Sequence, residues 1–165
     1  LVRLIEFDTT RAPDPAVPYA PRYASDLVFG ESIRLLGYDL PGGDTYSAGD
    51  SVPISLYWET TAPLDRDYVV GVYVRARDGS PLAQSDAIPA WGFAPTSQWR
   101  AAIPVWDNRA LRLPDDIASG EIQIWIKVYG FDESFNAVDL PATGGNVLEG
   151  VIGVLDLRLR VTGGE

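Results

Sequence analysis

The sequence predicts an all-β fold, an antiparallel two-sheet β-sandwich of the immunoglobulin-like or jelly-roll type. Several segments alternate apolar and polar residues with a period of two, which is the pattern of a half-buried strand. Turn residues, mainly Gly, Pro and Asp, separate these segments at intervals of roughly 10–20 residues. No segment of about ten residues or more sustains the 3.6-residue apolar period of an amphipathic helix.

Composition sets the first limits on function. The chain has 165 residues, 46% of them hydrophobic, which suits one domain with its own core. It contains no Cys and no His, so disulfides, the usual zinc ligands and a Ser-His nucleophile are excluded. The net charge of −10 disfavours nucleic acid and anionic membranes as partners, because phosphate binding needs clustered Lys and Arg.

The N-terminal part differs from the rest. Leu1–Phe7 alternates weakly and is compatible with an edge strand. Thr9–Ala24 contains four prolines, which favour an extended, polyproline-type chain. We therefore divide the chain into an edge segment with a proline-rich tether or strap, residues 1–25, and a β-sandwich domain, residues 26–165. Because position 1 is not Met and no apolar run could span a bilayer, we expect a fragment or processed product whose membrane attachment lies elsewhere.

Alternation assigns the strands and their faces. Predicted strands cover Ile33–Leu40, Val52–Glu59, Tyr68–Arg77, Leu82–Asp86, Ala110–Leu113, Glu121–Gly130 and Val151–Val161, with a hairpin over Phe131–Leu140. Asp78-Gly79 predicts a tight turn, and Pro53 predicts a free edge on its strand. We predict an irregular loop over Ala87–Asn108, and expect Gly153 to face inward and allow close packing.

A family resemblance rests on short sequence motifs that occur in a fixed order. LLGYDL begins at Leu35, VPISLYWE at Val52, DYVVGVYV at Asp67, LAQSD at Leu82 and VYGFD at Val128. The series, over residues 33–161, resembles the extracytoplasmic domains of bacterial multi-spanning membrane proteins related to the dolichyl-phosphate-mannose mannosyltransferases (glycosyltransferase family 39-like). The resemblance implies a β-sandwich outside the cytoplasm, anchored through a membrane-embedded parent. It supplies no catalytic residue for this domain. Before the strand that begins at Glu121, the related domains usually have a turn richer in Gly and Pro than Ala118–Gly120 is here.

Outward-facing aromatic residues are the first candidate site. Tyr57, Tyr73, Trp125 and Tyr129 fall on the non-core side of strong strands. If those strands are neighbours, the rings form a platform that can stack on the apolar faces of sugars. The alternative is that the rings are covered by the proline-rich strap or the long loop.

Aromatic residues in the long loop are the second candidate. Trp91, Phe93, Trp99 and Trp106 can line a cleft at one end of the sandwich. The polar groups that would orient a ligand there are Asp86, Ser97, Gln98, Asp107 and Asn108. The alternative is that these rings pin the loop to the core.

Carboxylate pairs are the third candidate, as ligands for a structural calcium ion. Asp65 with Asp67, Asp115 with Asp116, and Asp132 with Glu133 are close in sequence, but none has EF-hand spacing, and acidic residues are common in turns. We predict no metal, no cofactor and no catalytic residue.

Three functions remain open. The first is a non-catalytic extracytoplasmic accessory domain that binds glycan, a lipid-linked sugar or an envelope protein. The second is a structural spacer or assembly domain. The third is a carboxylate-based glycoside hydrolase, which needs only two suitably spaced carboxyl groups.

Overall fold

The computed structural model describes residues 21–155 and 159–162, and these residues form an all-β sandwich. The predicted fold class is confirmed. Within the described residues the helical elements are two short 3-10 turns, Pro89–Gly92 and Thr96–Gln98. The predicted edge strand Leu1–Phe7, most of the proline-rich segment, and residues 156–158 of the predicted last strand lie outside the described residues.

In one sheet, sheet A, the longest strand is β5, which lies between β3 and β8. Its strands are β1 (Tyr23–Ala24), β2 (Val28–Phe29), β3 (Ile33–Asp39), β5 (Ser51–Thr60), β8 (Val105–Arg112) and β11 (Ala142–Thr143). They lie in the order β11-β2-β3-β5-β8, with β1 also paired to β3, and all pairs are antiparallel. The ladder of β5 with β3 ends at Ser55, so at Pro53 β5 pairs with β8 but no longer with β3, and the side of β5 that faces β3 is a free edge there, as Pro53 predicted.

The other sheet, sheet B, is organised by its longest strand. Its strands are β4 (Thr45–Ser47), β6 (Val69–Ala76), β7 (Pro81–Ala87), β9 (Gly120–Phe131), β10 (Ala137–Asp139), β12 (Asn146–Leu148), β13 (Ile152–Val154) and β14 (Leu159–Thr162). Strand β6 pairs with β9 along its whole length and with β7 on its other side. The opposite edge of β9 is shared by β14, β13 and β10, and β4 pairs with β14 in parallel, which is the one departure from antiparallel pairing among the described strands.

The core lies between the two sheets. The predicted inward faces of β5, β6 and β9 are buried, except that Ala76 at the end of β6 is half-buried. They contribute Val52, Ile54, Leu56, Trp58, Val70, Val72, Val74, Ile122, Ile124, Ile126 and Val128. Full burial of each such side chain stabilises the fold by about 1.5–3 kcal/mol.

Gly153 on β13 is a point of close contact between the sheets. A Cβ at this position would lie 2.7 Å from Cδ1 of Leu27 and 3.1 Å from Cζ of Phe29, both on the sheet A side of the core. The prediction that Gly153 faces inward and permits close packing is therefore confirmed.

Two strand predictions are wrong in their bounds. The loop predicted over Ala87–Asn108 contains both 3-10 turns and ends at Val105, where β8 begins five residues before the predicted Ala110–Leu113. The start of β8 was missed because charged residues, Asp107 and Arg109, occupy inward positions where the pattern expects apolar ones. The predicted strand Val151–Val161 is instead two strands, β13 and β14, with Val151 only half-buried.

The first strand of sheet A lies inside the segment predicted as a tether. Tyr23 and Ala24 belong to the segment predicted as a tether, yet as β1 they pair with Tyr38 and Gly37 of sheet A. The backbone of Tyr23 passes so close over Gly37 that a Cβ would have no room.

Candidate functional site

The outer face of sheet B brings three of the four predicted platform residues together. Directly paired residues share a face, and the pairing of β6 with β9 sets Tyr73 opposite Trp125 and Val69 opposite Tyr129. All three rings are half-buried rather than covered. We call this surface the aromatic face; its members are Gly71, Tyr73, Arg75, Gln84, Asp86, Gln123, Trp125, Lys127, Tyr129 and Asp139.

Asp86 on β7 links two of the rings. Its Oδ1 accepts hydrogen bonds from the phenol groups of Tyr73, at 2.7 Å, and Tyr129, at 3.2 Å. The Tyr73 hydroxyl lies directly over Gly71, where any Cβ would collide with it and with Asp86. Gly71 therefore allows the Tyr73 ring to extend across its own strand and reach Asp86.

The carboxylate of Asp86 also changes the acidity of both phenols. Burial is the main cause that raises the pKa of Tyr129 to about 12, and the negative charge of Asp86 and its hydrogen bond add to the effect. The pKa of Tyr73 is raised still further by burial, by the hydrogen bond to Asp86 and by nearby negative charge. Both rings are therefore neutral hydrogen-bonding groups at any physiological pH.

Trp125 is fixed at the other end of the aromatic face. Its indole Nε1 donates to Oε1 of Gln123 at 3.2 Å. The Asp78-Gly79 turn predicted from sequence approaches the ring, since a Cβ on Gly79 would lie 3.6 Å from Cη2 of Trp125. The guanidinium carbon of Arg75 lies 5.3 Å from the Trp125 ring centroid and 5.5 Å from that of Tyr73. Arg75 thus lies against both rings.

Charge on this face differs from the charge of the whole chain. Lys127 pairs with Asp139 at 2.5 Å, and Arg77, just beyond β6, pairs with Glu121. With Arg75 added, cations and carboxylates are balanced across the surface, although the chain carries a net charge of −10.

Tyr57 lies elsewhere. It belongs to β5 in sheet A and is only 7% exposed. Its hydroxyl donates to Oδ2 of Asp39 at 3.1 Å, and its ring meets that of Trp106 edge-on at 5.6 Å. Tyr57 therefore does not share a platform with the other three residues, because its strand is in the opposite sheet.

The four loop aromatics are divided among different places. Trp99 is buried in the core and donates from Nε1 to the carbonyl of Ala94 at 2.9 Å, so it pins the loop as the structural alternative expected. Trp106 lies against Tyr57 on sheet A. Trp91 and Phe93 are 61% and 78% exposed.

A buried ion pair holds the Trp91 segment in place. Arg109 donates from Nε and Nη2 to the two oxygens of Asp107, at 2.8 Å each, and both side chains are fully buried. Asp107 also accepts from the backbone N–H of Ala90 at 2.9 Å, and Arg109 lies 5.2 Å from the Trp91 ring centroid. Ala90 and Trp91 both have positive φ, which is unfavourable for these residue types. The ion pair thus fixes a strained turn. Asp107 was predicted only as a polar group of the loop cleft and Arg109 was not selected, because an inward charge breaks the alternation that identifies a strand.

The carboxylate pairs serve backbone turns and surface ion pairs. Asp132 accepts from the backbone N–H groups of Ser134 and Asn136 at 2.8 Å. The hydrogen bond from the Asn136 side chain is the main cause that lowers the pKa of Asp132, and the backbone hydrogen bonds add to it. Asp115 pairs with Arg112 on the surface. Within residues 21–155 and 159–162, no group of three or more potential metal-ligating side chains occurs.

A groove of about 640 Å³ lies at the end of the sandwich where the β6–β7 hairpin meets the segment before β9. Its lining includes apolar Leu82, Ile117 and Ile122 and polar Ser80 and Ser119, and none of the predicted loop aromatics. The groove is therefore distinct from both predicted sites.

Arg75 was not selected from the sequence although alternation places it on this face, and Asp86 was predicted only as a polar group of the loop cleft. The place of Asp86 on this face depends on the pairing of β7 with β6. Arg75 shares the outward register of Tyr73, and Asp86 is the cross-strand neighbour of Gly71. Their link to the rings depends on hairpin register, which the Asp78-Gly79 turn sets.

The fold and this face define the protein as an all-β sandwich domain with a polar, aromatic sheet surface. The chain is similar to a crystal structure of the C-terminal domain of Wzt, with 15% sequence identity and a TM-score of 0.51, over 88% of this chain and 84% of that one. At this identity the likeness concerns the fold. No protein-family model matches the sequence, and no curated protein matches it either. No helix in the described part of the chain is long and apolar enough to cross a membrane.

Proposed function

We propose that this domain is a non-catalytic accessory module that binds glycan through the aromatic face. The observation that carries the proposal is the arrangement of Tyr73, Trp125 and Tyr129 on one sheet surface, where each ring is held by a polar partner and left partly exposed. Sugars present apolar C–H faces beside hydroxyl groups, so fixed rings beside hydrogen-bonding groups suit them. Rings that are already ordered lose little entropy on binding.

The setting of the domain is part of the proposal. The resemblance of residues 33–161 to extracytoplasmic domains of mannosyltransferase-related membrane proteins supports a location outside the cytoplasm, attached to a membrane-embedded parent. The likeness in fold to the C-terminal domain of Wzt is compatible with a module appended to a larger protein. Free glycan, the sugar of a lipid-linked saccharide and glycosylated envelope proteins would all offer the same chemistry to this face.

The carboxylates of the aromatic face favour binding over hydrolysis. Asp86 accepts hydrogen bonds from two phenols, and Asp139 is paired with Lys127. A glycosidase needs one carboxyl group free to donate a proton and a second free to attack or activate water. Neither carboxylate is free in this way, which supports a non-catalytic role.

The test begins with a glycan array probed with the wild-type domain. The glycans that bind are then titrated by calorimetry into the wild type, Trp125→Ala and Phe93→Ala. We expect binding by the wild type and a loss of about 10-fold or more in Trp125→Ala, since stacking on one ring contributes on the order of 1–2 kcal/mol. Phe93 is also exposed, but it lies in the loop between β7 and β8 and is not a member of the aromatic face, so Phe93→Ala is the control. Absence of any bound glycan, or equal loss in both variants, would contradict the proposal.

Assembly is a second candidate, favoured by a different observation. The β9–β10 hairpin exposes three large apolar side chains, Phe131, Phe135 and Val138, with Phe135 86% exposed. Exposed apolar clusters often mark protein contacts. If the domain assembles through this hairpin, light scattering at increasing concentration will show a dimer or larger species that Phe135→Ser returns to a monomer. A wild-type chain that stays monomeric would remove self-assembly.

A further inference from the structure

The guanidinium of Arg75 lies on the aromatic face, where none of the described residues gives it a polar partner. Its Nε is buried, and no acceptor among the described residues takes a hydrogen bond from it. Arg75 also makes no ion pair within the described part of the chain. The guanidinium lies against the rings of Tyr73 and Trp125.

This lack of a partner contrasts with the other cations nearby. Arg77 and Lys127 are paired with carboxylates, and the fully buried Arg109 is paired with both oxygens of Asp107. The chain has 23 acidic residues against 13 basic ones, so carboxylates are abundant. The cross-strand neighbour of Arg75 is instead the neutral Gln123, whose side-chain oxygen accepts from Trp125.

The chemistry of the guanidinium indicates what would satisfy it. A planar guanidinium presents a fork of N–H donors that matches the two oxygens of a carboxylate or phosphate. The Nε is buried, so a ligand reaches the guanidinium through its Nη groups, where an anionic group gains both charge attraction and hydrogen bonds. The two rings hold the fork in a fixed orientation before any ligand arrives.

Resting on the proposed glycan-binding role, we propose that the saccharide bound by the aromatic face carries an anionic group, a carboxylate or a phosphate, and that Arg75 binds this group. The carboxylate of Asp86 lies at the opposite end of the face, beside Gly71. Gly71 and Arg75 are four residues apart on β6. At about 3.3 Å per residue this separation is about 13 Å. An anionic sugar is therefore oriented with its charge towards Arg75 and its hydroxyl groups towards Asp86 and Lys127.

The experiment uses pairs of oligosaccharides that differ only in charge. Uronate oligosaccharides are compared with their carboxyl-reduced forms, and phosphomonoester oligosaccharides with their dephosphorylated forms, by calorimetry at low and high salt. We expect an acidic member to bind about 10-fold or more tightly than its neutral form, as for hydrogen bonds to charged groups, and to weaken with added salt. Whichever pair shows the difference identifies carboxylate or phosphate as the source.

Variants assign the effect to one side chain. Arg75→Gln should reduce binding of the acidic member to the level of its neutral form, and Arg75→Lys should restore part of it, because Lys keeps the charge but not the planar fork. The control is Arg22→Gln, since Arg22 lies at the same 5.5 Å from a tyrosine ring, that of Tyr23, but beside sheet A. We expect this control to bind as the wild type does.

The outcomes separate the two proposals. If neutral forms bind as tightly as acidic ones and Arg75→Gln changes nothing, this inference is overturned while the glycan-binding role stands. If no oligosaccharide binds and none shifts the NMR signal of the Trp125 indole N–H, both are overturned. Unchanged urea midpoints for Arg75→Gln will show that a loss of binding is not a loss of folding.

Discussion

The hydroxyl of Tyr73 occupies the space over Gly71 that a side chain at that position would need. Two residues of one strand therefore depend on each other: the glycine lets the ring extend across the sheet, and the ring reaches Asp86 on the neighbouring strand. Through Asp86 the same contact includes Tyr129. The aromatic face is thus a connected group of side chains rather than separate rings.

Substitution of Gly71 with Ala tests this dependence. A Cβ would displace the Tyr73 hydroxyl from Asp86, and because the obstructing atoms are side-chain ends, we expect the fold to survive with a loss of about 1–2 kcal/mol in the free energy of unfolding. Glycan affinity should fall with it. Urea denaturation and calorimetry are the measurements. Gly120→Ala is the control, since nothing lies within 4 Å of a Cβ there, and an equal loss in both variants would refute the dependence.

Asp86→Asn should make the phenols more acidic. Burial raises the pKa of Tyr129 to about 12, and Asp86 adds its charge and hydrogen bond, so removing the carboxylate should move the pKa of Tyr129 down towards its ordinary value near 10. Spectrophotometric titration of tyrosinate absorbance, with Tyr129→Phe to assign the signal, measures this shift. An unchanged titration in Asp86→Asn would contradict the proposed contact.

The same pKa shift has a consequence for stability. A tyrosine whose pKa is higher in the folded state than in the unfolded state contributes stability that is fully present below about pH 10 and is lost as pH rises towards 12. We therefore expect the wild type to lose stability over this alkaline range, and Asp86→Asn to lose less there. Urea midpoints measured at several pH values compare the two proteins.

Asp107→Asn should be strongly destabilising. It leaves the buried guanidinium of Arg109 without a charged partner, and breaking a buried pair in this way costs about 3–5 kcal/mol. The exposed pair of Arg112 with Asp115 provides the control: Asp115→Asn should change the free energy of unfolding by less than about 1 kcal/mol. Urea denaturation distinguishes the two, and equal effects would show that burial does not govern the Asp107 contact.

The inward and outward faces of single strands could be predicted because the direction of each side chain depends only on its position along its own strand. In β5, β6 and β9 the residues assigned inward are buried, apart from the half-buried Ala76 at the end of β6, and the residues around Asp78-Gly79 form the expected hairpin. The start of β8 could not be predicted in this way, since Asp107 and Arg109 satisfy each other only after both are buried. Strands of two or three residues, such as β1 and β11, are too short for alternation to identify.

The candidate site was predicted in part for the same reason. Alternation along each strand placed four residues outward, Tyr57, Tyr73, Trp125 and Tyr129. It could not assign the strands to sheets. Only the tertiary structure decided that β6 and β9 are neighbours while β5 lies in the opposite sheet, which separates Tyr57 from the others. It also decided that Asp86 joins two rings and that Arg75 lies against two, because these contacts join β6 to β7 and β9. The sequence by itself determined the all-β class and the alternating faces, since the side-chain direction along a strand follows from neighbouring residues; which faces meet depends on pairings between distant residues.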